Sequence, residues 1–233
     1  MLSEVLLIPE KADTERMAVA AAWKDQGGVV KSVGKFWQKP VLNTNQTYIY
    51  GNDTFALVLA QVLGKKLISP QDEVIANIPI SWLKRQLSIV SSNNISQLTF
   101  PCFVKPVQPK LFTARVYTSL VALQGVIKGL ENIPLICSEV VAIEKEVRVF
   151  VLNQVIADLA YYEGSGDLKP PHTFIEDFLQ HNTLNLPITF VVDLGYNAIL
   201  GWFILEFNAS WGAGLNGCDP VKVLPCIRAA TVD

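Results

Sequence analysis

Glu206 and Asn208 stand two apart in Trp202-Phe203-Ile204-Leu205-Glu206-Phe207-Asn208. In a strand, positions i and i+2 share a face, so carboxylate and amide oxygen converge while Leu205 and Phe207 turn toward the core. Two such oxygens beside phosphates suit Mg²⁺, a hard cation that keeps much of its water shell. Asp193, within the apolar run Phe190–Leu194, meets Glu206 on the same face if the two segments pair as hairpin arms. The plainer alternative is a solvated Glu beside a turn-forming Asn. Against it, an acid flanked by apolar strand needs a partner, because burial of a bare charge is costly.

Lys105 ends the strand-like Phe103-Val104-Lys105-Pro106. Pro106 lacks an N–H and closes the ladder there, leaving the lysine at a strand terminus as a point charge for phosphate or as an ordinary surface residue. Glu146 and Arg148 share a strand face, as a site pair or a surface ion pair. Glu139 precedes Val140-Val141, and Ser210-Trp211-Gly212-Ala213-Gly214 follows the Glu206 strand with two glycines that permit close backbone approach or simply form a loop. Gly164-Ser165-Gly166-Asp167 reads as a mobile loop. It is no phosphate-binding Walker loop, since no GK[ST] follows, and GxSxG, HExxH and GxGxxG are likewise missing. His172 and His181 read as loop or helix residues without a site role.

The elements that must carry these side chains divide in character. Up to about residue 95, strands (Glu4–Ile8, Gly28–Val33, Thr47–Tyr50, Leu67–Ser69) alternate with helices (Asp13–Lys24, Thr54–Leu63 capped by Asn52-Asp53, Ile80–Gln86), predicting a parallel sheet flanked by helices. Ser91–Gln97 is polar and reads as a linker. Beyond it come strands Leu98–Val104, Arg115–Tyr117 and Leu135–Val141, and a helix near Ser119–Leu130. Two hairpins follow: Val147–Leu152 with Val155–Tyr161 through Asn153-Gln154, and Ile188–Leu194 with Gly201–Phe207 through Tyr196-Asn197. Tight connections imply a largely antiparallel second half. Pro220–Ala230 reads as a helix.

Composition narrows the classes. Of 233 residues half are hydrophobic and 17% charged, which excludes intrinsic disorder. Nineteen Lys and Arg against 21 Asp and Glu give a net charge of −2, so no nucleic-acid or acidic-membrane footprint is expected. The most apolar run, Leu194–Leu205, is a dozen residues, short of the ~20 a spanning helix needs. Residues 2–8 carry Glu4 and do not read as a secretory signal. The four cysteines are far apart with no CxxC and read as buried thiols in a reducing cytoplasm rather than as a disulfide framework.

Taken in order, these motifs resemble the ATP-grasp superfamily. The series runs from Phe103-Val104-Lys105-Pro106 through Cys137-Ser138-Glu139-Val140-Val141, Glu146-Val147-Arg148-Val149-Phe150-Val151 and Val191-Val192-Asp193-Leu194-Gly195 to Ile204-Leu205-Glu206-Phe207-Asn208, with Trp211-Gly212 after it. It is most similar to the small, compact members of peptide or amino-acid ligase type. The resemblance implies an α/β (α+β) chain. An N-terminal α/β domain (1–95) would precede an ATP-grasp domain (96–233) of two α+β subdomains whose antiparallel sheets grip ATP. It also implies roles. Lys105 would contact the α/β-phosphates, and Glu139, Val140 and Val141 would form the hinge that reads adenine. Arg148, with Glu146 beside it, would face phosphate or an acyl phosphate. Glu206 and Asn208 would hold Mg²⁺, with Asp193 as a further ligand or a group orienting the ligands. Val104, Ile136, Leu205 and Phe150 would sandwich the purine. Two departures stand out. Val107–Ala114 contains no glycine, leaving Lys110 or Arg115 to supply charge in place of backbone amides, and the short central portion reduces the lid.

The activity so implied is ATP- and Mg²⁺-dependent joining of a carboxylate to an amine through an acyl phosphate, on an amino acid or peptide. The same fold could instead serve a kinase or a non-catalytic ATP-binding or interaction module. Low charge and high apolarity leave room for a homodimer.

Overall fold

The computed structural model describes residues 4–44 and 46–233; Leu2 and Ser3, part of the segment read for a signal, lie outside the described residues. By contact the chain divides otherwise than at residue 95. One compact unit is Met1–Pro70 with Lys145–Gly195 and Leu205–Asp233, and the other is Gln71–Glu144 with Tyr196–Ile204.

The first unit opens with β1 (Val5–Pro9), α1 (Thr14–Asp25), β2 (Val29–Val33), β3 (Thr47–Ile49), α2 (Asp53–Leu63) and β4 (Lys66–Leu67). Strands β2, β1 and β3 lie in that order and both pairings are parallel, as the alternation with helices predicts. Asp13 caps α1 by accepting from Arg16 N, Asn52 caps α2 by accepting from Phe55 N, and Gly64 ends α2 in the left-handed region.

The second unit contains α3 (Ile80–Leu83), β5 (Leu87–Ser91), β6 (Cys102–Pro106), β7 (Arg115–Tyr117), α4 (Leu120–Ile127) and β8 (Pro134–Ser138). Its sheet runs β5-β8-β6-β7, antiparallel throughout. The expected linker is not one. Ser91 ends β5 and Ser92–Gln97 forms a 3-10 helix that buries Ile95, while Ser92 Oγ both donates to Leu130 O and accepts from Ile133 N. A polar composition here serves backbone satisfaction rather than irregularity. α3 is a single turn, shorter than expected, because Lys84 takes a φ of 53° and ends it.

The remaining elements are β9 (Lys145–Leu152), β10 (Val155–Glu163), α5 (Lys169–His181), β11 (Thr189–Asn197), β12 (Gly201–Asn208), α6 (Pro220–Ala229) and β13 (Thr231–Val232). Strands β10-β9-β11-β12 form one sheet, and β13 pairs with β4 antiparallel. Asn153 and Gln154 both have positive φ, the geometry that lets a two-residue turn match strand twist in the β9–β10 hairpin. The β11–β12 turn falls at Ala198–Leu200, later than expected, because Asn197 Oδ1 accepts from Ile199 N and Leu200 N. Helix α5 is an addition to the elements that the sequence pattern predicts.

One core joins the N-terminal sheet to the later one. Leu6, Ile8, Trp23 and Tyr50 pack in the same cluster as Phe150, Val191, Leu224 and Ile227. Burying such side chains contributes roughly 1.5–3 kcal/mol each, so residues 4–70 depend on those beyond 145. Among the described residues no helix is long and apolar enough to cross a membrane.

Candidate functional site

The candidate residues fall on both units, and each group is described within its own.

On the first unit, β9 presents Glu146 and Arg148, β11 presents Asp193, and β12 presents Glu206 and Asn208. Arg148 donates from Nε to Asp193 Oδ1 at 2.8 Å and from Nη2 to Oδ2 at 2.6 Å. Its Nη1 donates to Gly214 O at 2.9 Å. Asn208 Nδ2 then bridges both carboxylates, reaching Glu206 Oε1 at 3.1 Å and Asp193 Oδ2 at 3.3 Å. Arg148, Asp193, Asn208 and Glu206 therefore form one continuous polar chain.

Burial sets the character of that chain. Asp193 is 2% exposed and Arg148 8%. Burial pushes the Asp193 carboxyl above its ordinary value despite the Arg148 guanidinium. Burial also opposes charge on Arg148, but the hydrogen bonds and field of Asp193, with Tyr162 and Glu206, outweigh it and raise its pKa.

Tyr162 completes the group, and sequence reasoning missed it. The β9–β10 register shifts between Tyr161 and Glu163, which makes Tyr162 the extra residue of a bulge. Its hydroxyl donates to Glu146 Oε2 and its ring centre lies 5.7 Å from Arg148 Cζ. Bulges commonly re-aim a side chain in this way. Burial, followed by the negative Asp193, raises the phenol's pKa strongly, keeping it a neutral donor.

The donor set fits a hard cation through Glu206 and the Asn208 amide. Asp193 is committed to Arg148, so its geometry is that of an orienting group. Among the described residues no three His, Cys, Asp or Glu side chains converge on a metal position.

The loop after β12 has more than its glycines to fix it. It is held by residues of the N-terminal sheet: Tyr50 Oη donates to Ala213 O at 2.8 Å, and Gly51 N to Trp211 O at 3.0 Å. Single residues such as Tyr50 carry no sequence signal for this task.

On the second unit, Lys105 is half-buried on β6, opposite Ile136 of β8. The hinge segment begins just after β8. Glu139 N donates to Gln86 O at 3.0 Å while Glu139 Oε2 accepts from Gln86 N at 2.7 Å. That clamp turns the Glu139 carboxylate onto backbone and leaves the Val140–Val141 backbone as the stretch Gln86 does not engage. Arg85 is the unforeseen residue here. Buried at 7% exposure, it donates from Nε to Ser138 Oγ and from Nη1 to Leu83 O and Ile204 O, and desolvation lowers its pKa to about 10. Arg115 stacks over the Tyr117 ring at 4.9 Å, and Lys110 sits at a left-handed turn with φ 69°.

Of the expected purine-sandwich residues, Val104 and Phe150 are wholly buried inside hydrophobic clusters and offer no surface to a ligand. Ile136 is 1% exposed and Leu205 is half-buried; Leu205 does not point into the core as the alternation predicts. Gly164–Asp167 is tied by Tyr161 Oη donating to Asp167 O and by Asp167 Oδ1 accepting from Lys169 N. His172 lies on α5 in an exposed pair with Glu176 at 3.2 Å, and His181 ends that helix.

Residues 82–226 match a family model described as an ATP-grasp domain, the second family of its clade. No curated protein matches the sequence. Among solved structures, the chain is similar to a RimK domain protein ATP-grasp from Sphaerobacter thermophilus, at 13% identity and TM-score 0.60, covering 98% of this chain and 97% of that one. It is similar to the D-cycloserine synthetase DcsG at 12% identity and TM-score 0.62, covering 97% and 99%. It is also similar to a D-alanine–D-alanine ligase from Bacillus anthracis complexed with ATP, at 9% identity and TM-score 0.56, covering 99% and 97%. Identities this low compare folds, not activities.

Proposed function

Because this chain belongs to the ATP-grasp domain family, we propose that it is an ATP- and Mg²⁺-dependent carboxylate–amine ligase working through an acyl phosphate. The observation that carries the reading is the continuous Arg148–Asp193–Asn208–Glu206 chain on one sheet. It sets a fixed cation beside oxygen donors for a second one.

The chemistry asks for such a set. A carboxylate is a poor electrophile; transfer of the γ-phosphoryl group to it gives a mixed anhydride from which an amine displaces phosphate. The protein must align the acid with the γ-phosphate and neutralise charge as it develops. A guanidinium has five N–H donors, and three of Arg148's are spent on Asp193 and Gly214, so two remain for phosphate oxygens. The bidentate pair fixes the plane in which those two point. Glu206 and Asn208 hold Mg²⁺, which supplies further charge neutralisation at the phosphates. Asp193 orients both the Asn208 amide and the guanidinium. Lys105 is assigned the α/β-phosphates, Val140–Val141 the purine edge, and Leu205 an apolar contact. Glu139 stabilises the hinge rather than touching ribose. Glu146, held by Tyr162, keeps negative charge beside Arg148.

Substrates of this reading are a small acid or peptide and an amine acceptor, in the cytoplasm. The test is product analysis with Mg·ATP and panels of acids and amines. Ligation yields ADP, free phosphate and an amide in equal amounts. Phosphate recovered on a hydroxyl instead would identify a kinase.

A further inference from the structure

We propose that Glu15, in the first turn of α1, is a positioning residue for Arg148, acting through the loop that follows β12. Its consequence for turnover rests on the ligase reading; its geometry does not. The two Glu15 oxygens divide between successive backbone amides, Oε2 accepting from Leu215 N at 3.1 Å and Oε1 from Asn216 N at 2.7 Å. The preceding peptide gives its carbonyl to Arg148, Gly214 O accepting from Nη1 at 2.9 Å. One short stretch of backbone is thus held by opposite charges: Glu15 takes its donors and Arg148 its acceptor.

Gly214 is where the two grips meet. A Cβ at that position would collide with Glu15 Oε2, so glycine is what lets the carboxylate seat on the two amides. Other contacts pin the loop earlier, at Trp211, Gly212 and Ala213. Glu15 reaches the amides directly after the carbonyl that Arg148 uses. Hydrogen bonds to a carboxylate are roughly twice as strong as neutral ones, so the charge matters and not only the shape. A glutamine has one oxygen to offer and would leave one of the two N–H groups facing an NH₂. The Gly214 carbonyl then loses its setting, and the third anchor of the guanidinium slackens.

This assigns the N-terminal helix a task in the phosphate chemistry. Arg148 keeps its Asp193 partner in the variant, so binding of Mg·ATP is spared, while the orientation needed during transfer is not. The test compares the full chain with E15Q, E15D and G214A, reading kcat, KM for ATP and the NMR resonance of the Arg148 Nε–H. In E15Q and G214A, kcat is expected to fall about 10- to 100-fold, as misplacement of this kind does. KM for ATP stays within about threefold, the signature of an interaction needed chiefly in the transition state. E15D recovers part of the rate, and the Arg148 resonance moves in every impaired variant.

An unmoved Arg148 resonance in E15Q overturns the proposal, as does a loss confined to KM. If E15Q does not fold, G214A decides by the same resonance. If the wild-type chain neither binds nor turns over Mg·ATP, the ligase reading falls; the resonance then decides alone whether Glu15 positions Arg148.

Discussion

Arg148 and Asp193 meet across neighbouring strands in a two-pronged ion pair, Nε to Oδ1 at 2.8 Å and Nη2 to Oδ2 at 2.6 Å. Both side chains are buried, so removing one leaves the other's charge without compensation. R148A or D193N should each cost about 3–5 kcal/mol of stability. Replacing both with apolar residues of similar volume should restore much of it without restoring ATP turnover. Chemical denaturation of the two single variants and the double variant measures this.

Glu206 and Asn208 are the proposed cation ligands, and Asp193 stands behind them. E206Q should therefore weaken Mg²⁺ binding by at least about tenfold, the range seen when a site loses a charged ligand or its support. It should leave the fold intact, because Glu206 is half-exposed. A Mg²⁺ titration followed by calorimetry in the presence of ATP checks it; an unchanged affinity would remove Glu206 from the cation site.

The four cysteines are all buried and unpaired. Burial pushes Cys137 and Cys218 up to about 12 and Cys226 to about 11, and raises Cys102 above the ordinary 9.0. At pH 8 the native chain should react with a thiol reagent far more slowly than the unfolded one, which exposes all four. The sign for stability follows. The neutral thiols contribute fully below about 9, and that contribution is lost as pH rises from there toward about 12. Denaturation midpoints measured from pH 7 upward should fall across that window.

Phe150 lies two residues beyond Arg148 on β9 and is wholly buried in the core shared by the N-terminal and C-terminal segments. F150A should destabilise the chain by about 3–5 kcal/mol, the usual cost of such a cavity. Its effect should appear in thermal unfolding rather than in ATP affinity at temperatures where the variant is folded, since it offers no surface to a ligand.

Much of this is legible in the residues. Asp13 and Asn52 announce their helices, Asn153-Gln154 its turn, and the spacing of Glu206 and Asn208 the shared strand face. What stays hidden needs tertiary contact. The bulge that aims Tyr162 over Arg148 leaves no pattern in Tyr161-Tyr162, and Glu15 meets Leu215 and Asn216 across some two hundred residues. Ser91–Gln97 misleads because serine and asparagine serve a buried 3-10 turn as readily as a linker. Helix α5 is obscured by Pro170-Pro171, which look like breakers but occupy its first turn, where no N–H is missed.

The central claim is that a carboxylate is activated as an acyl phosphate. Hydroxylamine intercepts such an intermediate without any cognate amine. Mg·ATP, hydroxylamine and a panel of carboxylic acids should yield a hydroxamate with ADP and free phosphate in equal amounts, and K105A and E206Q should abolish all three. ADP accompanied by phosphate esterified to a hydroxyl, with no hydroxamate and no free phosphate, would contradict it.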